Sequence, residues 1–274
     1  MTSQKTQEIA QLYEERHKTR TDVFGDRPYA NYGYWVREDI PIDEACDAMT
    51  DLVARASGLT EGDRVLEVGC GYGASAVYYA GKFKPSSVVG VDVTEVRLKS
   101  GREYVKRCGL DGVIDIRLGD ATALEFPDAS FDRIIGIECA FHFDTRLDFL
   151  KEACRVLAPG GGLALADLIL REGADAEAFI KASRVDNYGR SLVAQNVHDR
   201  RIYLEQLVEA GFTEASVEVI TERTLVPLIT HLEKVAAQQA GEKAAFRARS
   251  AAIVRHFLKM GMEYVLVSAR KPAA

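Results

Sequence analysis

Arg64-Val-Leu-Glu-Val-Gly-Cys-Gly-Tyr-Gly-Ala-Ser-Ala76 is the stretch whose reading decides the fold. Val65, Leu66 and Val68 form a short apolar run of the kind that becomes a buried parallel strand. Gly69, Gly71 and Gly73 carry no Cβ, so the backbone can turn tightly there and come close to a ligand. From Ala74 the pattern becomes helical, with Ala76, Val77, Ala80 and Phe83 on one face. Strand, glycine turn and helix N-terminus together are the ligand-binding half of a doubly wound sheet.

A glycine fingerprint alone is weak evidence, and its details carry the argument. The spacing is Gly-x-Gly-x-Gly, with Glu67 two residues ahead of it. A dinucleotide site aims its helix N-terminus at a pyrophosphate, which an acid entering the loop would oppose. Glu67 suits a ligand that has no phosphate and carries an ammonium and a sulfonium. Asp92 ends the next apolar run, Val88 to Val91, at the distance where an acid takes ribose hydroxyls. This stretch resembles motif I of the class I S-adenosylmethionine-dependent methyltransferases, with Asp92 as their ribose-binding acid.

Downstream, strands and helices alternate. Strands are expected over about 87–92, 113–118, 131–138 and 163–170, and the helix of Leu147, Leu150, Cys154 and Leu157 is stopped by Pro159-Gly-Gly-Gly. Such alternation demands a parallel sheet with ligands at the strands' carboxyl ends. Glu67, Asp92, Asp120, Glu138 and Asp167 all fall at or near those ends, so five acids are expected on one rim. Gly119-Asp120-Ala121 resembles the family's adenine-binding turn, which implies that Asp120 accepts from the exocyclic amine and that the Ala121 amide meets a ring nitrogen. Taken alone, Asp120 is equally well a helix N-cap.

Beyond Arg171 the rhythm changes. Residues 172–198 are irregular, with Phe179, Val185 and Tyr188 as anchors. A helix follows from Asp199, carrying Leu204, Leu207 and Val208, and strands are expected near 216–221 and 264–269. Two amphipathic helices lie between those strands, one on Leu225, Leu228, Leu232 and Val235, the other on Phe246, Ile253, Phe257 and Met260. The expected architecture is therefore α/β, a Rossmann-like doubly wound seven-stranded sheet with a helical lid inserted between the sixth and seventh strands. It is read as a single domain, 1–274, with an N-terminal arm, 1–40, and lid insertions at 172–198 and 222–262. The polar helix of the arm, Gln4 to Thr19, is anchored by Ile9, Leu12 and Tyr13. The arm's Tyr29-Ala-Asn-Tyr-Gly-Tyr-Trp35 reads as a hydrophobic clamp. It also resembles the Gly-Tyr-Trp segment of natural-product methyltransferases, which implies that Tyr32 touches the cofactor site.

Methyl transfer is displacement at an activated carbon, so a protein need only position a nucleophile and take its proton. His142 follows the fourth strand on the rim and is the candidate base, with the structural role common to histidines as the alternative. Glu138-x-x-x-His142 matches a pattern of this methyltransferase group. Asp167 is expected to orient the imidazole or accept from the substrate, or else to be a hydrogen-bonded loop carboxylate. Glu138 is expected to brace the glycine loop or the cofactor. His256 is read as a core histidine on the apolar face of its helix. No spacing of histidines, cysteines and acids suggests a structural zinc site; Asp167 with Glu138 is in principle a magnesium pair, though no metal is expected, and Cys139 reads as packing.

The order of these motifs resembles the small-molecule enzymes of antibiotic tailoring, of the erythromycin and rebeccamycin sugar O-methyltransferase type. The resemblance implies S-adenosylmethionine as cofactor and transfer to a hydroxyl of a small secondary metabolite. Carbon methylation of an alkene, prenyl or ring carbon stays open, with Arg184, Arg190, Arg200 and Arg201 available to a prenyl diphosphate. So do N-methylation of a small amine and a non-methylating homologue, such as a cyclase that retains the cofactor. With 35 basic and 41 acidic residues the formal charge is −6, which offers nucleic acid no basic surface. No apolar run reaches a membrane span, the N-terminus lacks a signal-peptide core, and five scattered cysteines suit reduced thiols. The expected location is cytoplasmic and the expected partner a small molecule, not nucleic acid or membrane; a homodimer is compatible with the sequence.

Overall fold

The computed structural model describes residues 3–18, 27–185 and 192–273. Thr19, Tyr188, Arg190 and the side chain of Val185, which enter the sequence reading above, lie outside that description. Among the described residues the strands β1 (Arg64–Val68), β2 (Ser87–Asp92), β3 (Ile114–Leu118), β4 (Phe131–Ile137), β5 (Leu157–Leu170), β6 (Thr213–Val219) and β7 (Met262–Arg270) form one sheet in the order β3-β2-β1-β4-β5-β7-β6. β1 to β5 pair in parallel, and β7 runs antiparallel to both neighbours. β1 is central because its apolar residues go to both faces: Val65, Leu66 and Val68 are fully buried.

The sheet divides two cores. On the face of Val65 and Ile135 pack α2 (Ile42–Ser57), α3 (Ala74–Phe83) and α4 (Glu95–Arg107). On the face of Leu66 and Ile134 pack α5 (Arg146–Val156) and α7 (Arg200–Glu209). α1 (Gln4–Lys18) precedes the sheet, α6 (Ala176–Val185) follows β5, and α8 (Leu225–Ala237) with α9 (Gly241–Lys259) stand between β6 and β7. Trp35 is buried, its N–H donating to Arg223 O at 2.7 Å and its Nε1 to Tyr32 O at 3.0 Å. The aromatic stretch thus clamps the arm to the start of α8.

Three local expectations change. The Pro159-Gly-Gly-Gly stop ends a helix but not the chain's regular structure, because β5 already begins at Leu157, paired with Phe131. Gly162 is essential to that course, since a Cβ there would run into the Ser57 carbonyl. α9 is turned from the expected face: Arg247, Ala251, Val254 and Phe257 point inward, Phe246 is 49% exposed and His256 is exposed. On α7, Tyr203 and Leu207 face the core and Val208 faces outward. Helix periodicity defines a stripe, and its rotation is chosen by the packed neighbour.

Candidate active site

The glycine loop joins β1 to α3, and Gly69 and Gly71 take left-handed φ of 66° and 53°. A Cβ on Gly69 would strike the Cys139 side chain, and one on Gly71 would strike the Arg97 guanidinium, so neither place tolerates a larger residue without movement. Gly73 also has φ of 75°, but it packs toward Ile116 and is not among the described residues that line the cleft over this loop. That cleft holds about 960 Å³ with its open mouth included, enough for a cofactor-sized ligand.

Four of the five expected acids line it: Glu67, Asp92, Asp120 and Glu138. Asp92, at the end of β2, accepts from Gly71 N–H at 3.0 Å and Thr94 N–H at 2.9 Å, which holds the carboxylate at the loop. Glu67 is 2% exposed and its Oε2 has no hydrogen-bond partner. Burial pushes the Glu67 carboxyl up to about 8, with Asp92 adding to the rise and the Ser75 hydroxyl and Ala76 N–H opposing it. An unpartnered buried carboxyl beside a second acid is a seat for a cationic ligand group. Asp120 Oδ1 accepts from Thr122 N–H at 2.9 Å and Thr122 Oγ1 at 2.8 Å, so it closes its own turn while bordering the cleft beside Ala121.

Glu138 has φ of 54°, a costly value for a residue with a side chain, and it turns the chain at the end of β4. Its Oε1 accepts from Tyr32 N–H at 2.6 Å and Tyr264 OH at 2.8 Å, and burial raises its carboxyl to about 8. Tyr32 therefore meets the site through its backbone. The arm's contribution to the cleft wall is Pro28, Tyr29, Ala30 and Asn31, and Tyr32 is not among the described lining residues. The expectation that Tyr32 touches the cofactor shifts to its neighbours for that reason.

His142 closes a short 3-10 turn, Ala140–His142, and lines the cleft. Its Nε2 shares a hydrogen bond of 2.7 Å with the Tyr13 hydroxyl, and the two rings meet edge to face at 5.5 Å. Asp167 stands elsewhere than expected. It is fully buried, with Oδ2 accepting from Arg146 Nε at 2.9 Å and Tyr203 OH at 3.0 Å and Oδ1 from Phe141 N–H at 3.1 Å. The acid anchors the turn that carries His142 from below and is not a lining residue of the cleft. Asn196 holds the same turn, donating to Phe143 O at 2.7 Å.

Several residues of this site escape sequence reading. Tyr13, with Thr6 and Ile9, brings α1 over the cleft; the sequence leaves that helix open as a surface helix or part of a lid, and does not pair Tyr13 with His142. Arg97 lines the cleft from α4 and is only 8% exposed, yet in sequence it is one of several basic residues on that helix. Arg146, also fully buried, reads as an ordinary first-turn residue. Only the pairing of distant segments reveals them. Residues of α8 and α9 are not among the described lining residues, and Arg184, Arg200 and Arg201 are exposed and likewise outside the wall.

Comparison with known proteins agrees with this fold. Residues 66–165 match a family model described as a methyltransferase domain. The chain is 30% identical to erythromycin 3''-O-methyltransferase of Saccharopolyspora erythraea, over 96% of this chain and 89% of that protein. It is 31% identical to 27-O-demethylrifamycin SV methyltransferase of Amycolatopsis mediterranei, over 99% of this chain and 100% of that one. Among solved structures it resembles the [4+2]-cyclase SpnF, with a TM-score of 0.80, 28% identity, and coverage of 98% and 97% of the two chains. The sheet, the glycine loop with its acids and these full-length relatives lead to one conclusion: the chain belongs to the class I S-adenosylmethionine-dependent methyltransferases that act on small molecules.

Proposed function

We propose that the enzyme methylates a hydroxyl group of a small secondary metabolite, with His142 as general base. The observation that carries this reading is the placement of His142, whose imidazole lines the same cleft as Glu67, Asp92, Asp120 and Glu138 and presents Nε2 to a hydroxyl, that of Tyr13. The names of the two full-length relatives, both O-methyltransferases of antibiotics or their precursors, support oxygen as the acceptor atom.

The site suits the cofactor. Glu67 offers an unpartnered carboxyl oxygen to a cationic group, Asp92 a carboxylate to the ribose hydroxyls, and Asp120 with Ala121 a turn to the adenine. Gly69 and Gly71 present bare backbone to the cleft at their two positions, and Glu138 braces the wall through Tyr32 and Tyr264. When bound, S-adenosylmethionine supplies a methyl group already activated on sulfur. The chain's own task is then to hold the acceptor oxygen in line and remove its proton. His142 Nε2 takes a proton from the Tyr13 hydroxyl that occupies the nitrogen, and the Tyr13 oxygen takes the acceptor's proton in turn. The described residues of the N-terminal arm and of 172–198 would form the acceptor's lid, with 222–262 buttressing the arm through Trp35 and Arg223. Five cysteines without a disulfide among them support a reducing, cytoplasmic setting, and no helix among the described residues is long and apolar enough to cross a membrane.

A second reading rests on the likeness to SpnF, a cyclase by its printed name. The test therefore incubates the protein with methyl-labelled S-adenosylmethionine and three acceptor sources: 3''-O-demethyl erythromycin, 27-O-demethylrifamycin SV, and a metabolite extract of the source cells. Mass fragmentation that places the label on oxygen, lost in His142→Ala, supports the proposal. Label on carbon or nitrogen, or full activity of His142→Ala, overturns the base assignment. An unlabelled isomer of an extract component favours the cyclase reading.

A further inference from the structure

Arg97 is an unusual neighbour for a site that receives a cationic cofactor. Its guanidinium lies under α1 and is 8% exposed. Its charge is answered at 3.7 Å by Asp92 Oδ2, too far for a direct hydrogen bond, and its Nε has no hydrogen-bond partner. Two aromatic faces flank it: Tyr13 of α1, with ring centroid 4.8 Å from Cζ, and Tyr72 of the glycine loop at 4.9 Å. Both distances fall within cation–π range, and the contact strengthens when water is kept away. A second clip lies one helical turn along, where His17 Nδ1 and the Tyr72 hydroxyl share a hydrogen bond of 3.0 Å. The far end of α1 is tied by Ser3 Oγ, which donates to Asp144 Oδ2 at 2.7 Å.

We propose that Arg97 is a positioning residue that latches α1 over the cofactor cleft, so that ligand on Asp92 and closure of α1 favour each other. The proposal rests on the reading of Asp92 as the ribose acid. The coupling follows from shared elements. Asp92 is at once a wall of the cleft and the counter-ion of Arg97, and Tyr13 is at once a wall of the cleft and a face of the Arg97 sandwich. A ligand that displaces water from the cleft lowers the local dielectric and strengthens both contacts of the guanidinium. A latch so strengthened holds α1 closed, and by linkage a closed α1 holds the ligand by the same factor. Burial opposes the charge on Arg97, but Asp92, Tyr13 and Tyr72 outweigh it, so the residue stays cationic throughout. The guanidinium is needed for its flat face as well as its charge, because a lysine ammonium on a flexible stem cannot lie against two rings at once.

The test measures hydrogen exchange of residues 3–18 with and without S-adenosylmethionine, and the S-adenosylmethionine Kd by calorimetry, in wild type, Arg97→Ala, Arg97→Met and Arg97→Lys. Expected are a wild-type segment 3–18 that slows further on adding cofactor, and an Arg97→Ala segment that exchanges at least about tenfold faster without cofactor. The Kd should rise by about tenfold, the ordinary size of such a coupling, with Arg97→Lys between the two. Arg97→Met fills the volume and gives the same readings where Arg97→Ala fails to fold. Exchange of 3–18 that is unchanged in both Arg97→Ala and Arg97→Met overturns the latch. Asp92→Asn separates the two failures: a wild-type Kd in that variant removes Asp92 from the cofactor site, whereas a weakened Kd with an unchanged 3–18 removes only the latch.

Discussion

Replacing Glu67 by Gln tests how the site receives a cation. In the ligand-free protein burial holds this carboxyl up to about 8, and its Oε2 has no partner. At pH 7 it is therefore mostly protonated, and a bound sulfonium or ammonium draws the proton off. Ionising a group whose pKa lies one unit above the ambient pH costs about 1.4 kcal/mol, or tenfold in affinity. The cost doubles at pH 6. The S-adenosylmethionine Kd should thus fall by about tenfold for each unit of rising pH between 6 and 7.5, and level off as the pH passes about 8. Glu138, held at about 8 on the same wall, adds to this slope. Titration calorimetry at pH 7 in two buffers of different ionisation enthalpy should register release of about one proton or more. Glu67→Gln should reduce that number by about one and flatten the slope. The same substitution has a stability signature. The folded value of Glu67 lies above its ordinary 4.5, so its contribution is present below pH 4.5 and is lost as pH rises through about 8. Glu67→Gln removes that loss, so the ligand-free variant should be the more stable protein near pH 8, by up to about 5 kcal/mol. A wild-type Kd independent of pH between 6 and 7.5, or a Glu67→Gln variant that releases as many protons, would refute the reasoning.

Gly71→Ala places a side chain at φ of 53° and drives its Cβ into the Arg97 guanidinium, so calorimetry should show S-adenosylmethionine binding weakened by about tenfold or more. Asp167→Asn strips the fully buried Arg146 of its counter-ion. Breaking such a pair costs about 3–5 kcal/mol, so denaturant unfolding should show a lower midpoint with an unchanged slope. His142→Ala should lower transfer to a hydroxyl acceptor by about 10²–10⁴-fold while leaving the S-adenosylmethionine Kd within about twofold, since under this reading the imidazole serves the acceptor's proton and not the cofactor. Activity above one tenth of wild type in His142→Ala would mean that position alone, without a base, suffices.

Much of this molecule can be read directly from its chain because the deciding interactions are local. Val65 to Val68 read as a strand buried on both faces, the glycines that follow as a tight turn, and Asp92 ends its strand within reach of that turn. Element order and strand ends follow from such short-range periodicity, and with them the rim that gathers Glu67, Asp92, Asp120 and Glu138. Asp167 shows where this logic stops. It ends its run as the other acids do, yet Arg146 and Tyr203, packed from α5 and α7, draw it into the core. Whether a strand-end acid faces ligand or protein depends on what stands next to it in space, and no spacing along the chain records that. Tyr13 illustrates the same point from the other side: its partner His142 is 129 residues away, and only the return of α1 across the sheet edge brings them together. The sequence alone determined the architecture and which acids end its strands, because backbone geometry and side-chain period act over a few residues, while the cofactor class came from the motifs' resemblance to a known family. The tertiary structure decided the rotation of α9, the withdrawal of Asp167 and the covering of the cleft by Tyr13 and Arg97, because burial and charge pairing act between segments that only folding makes neighbours.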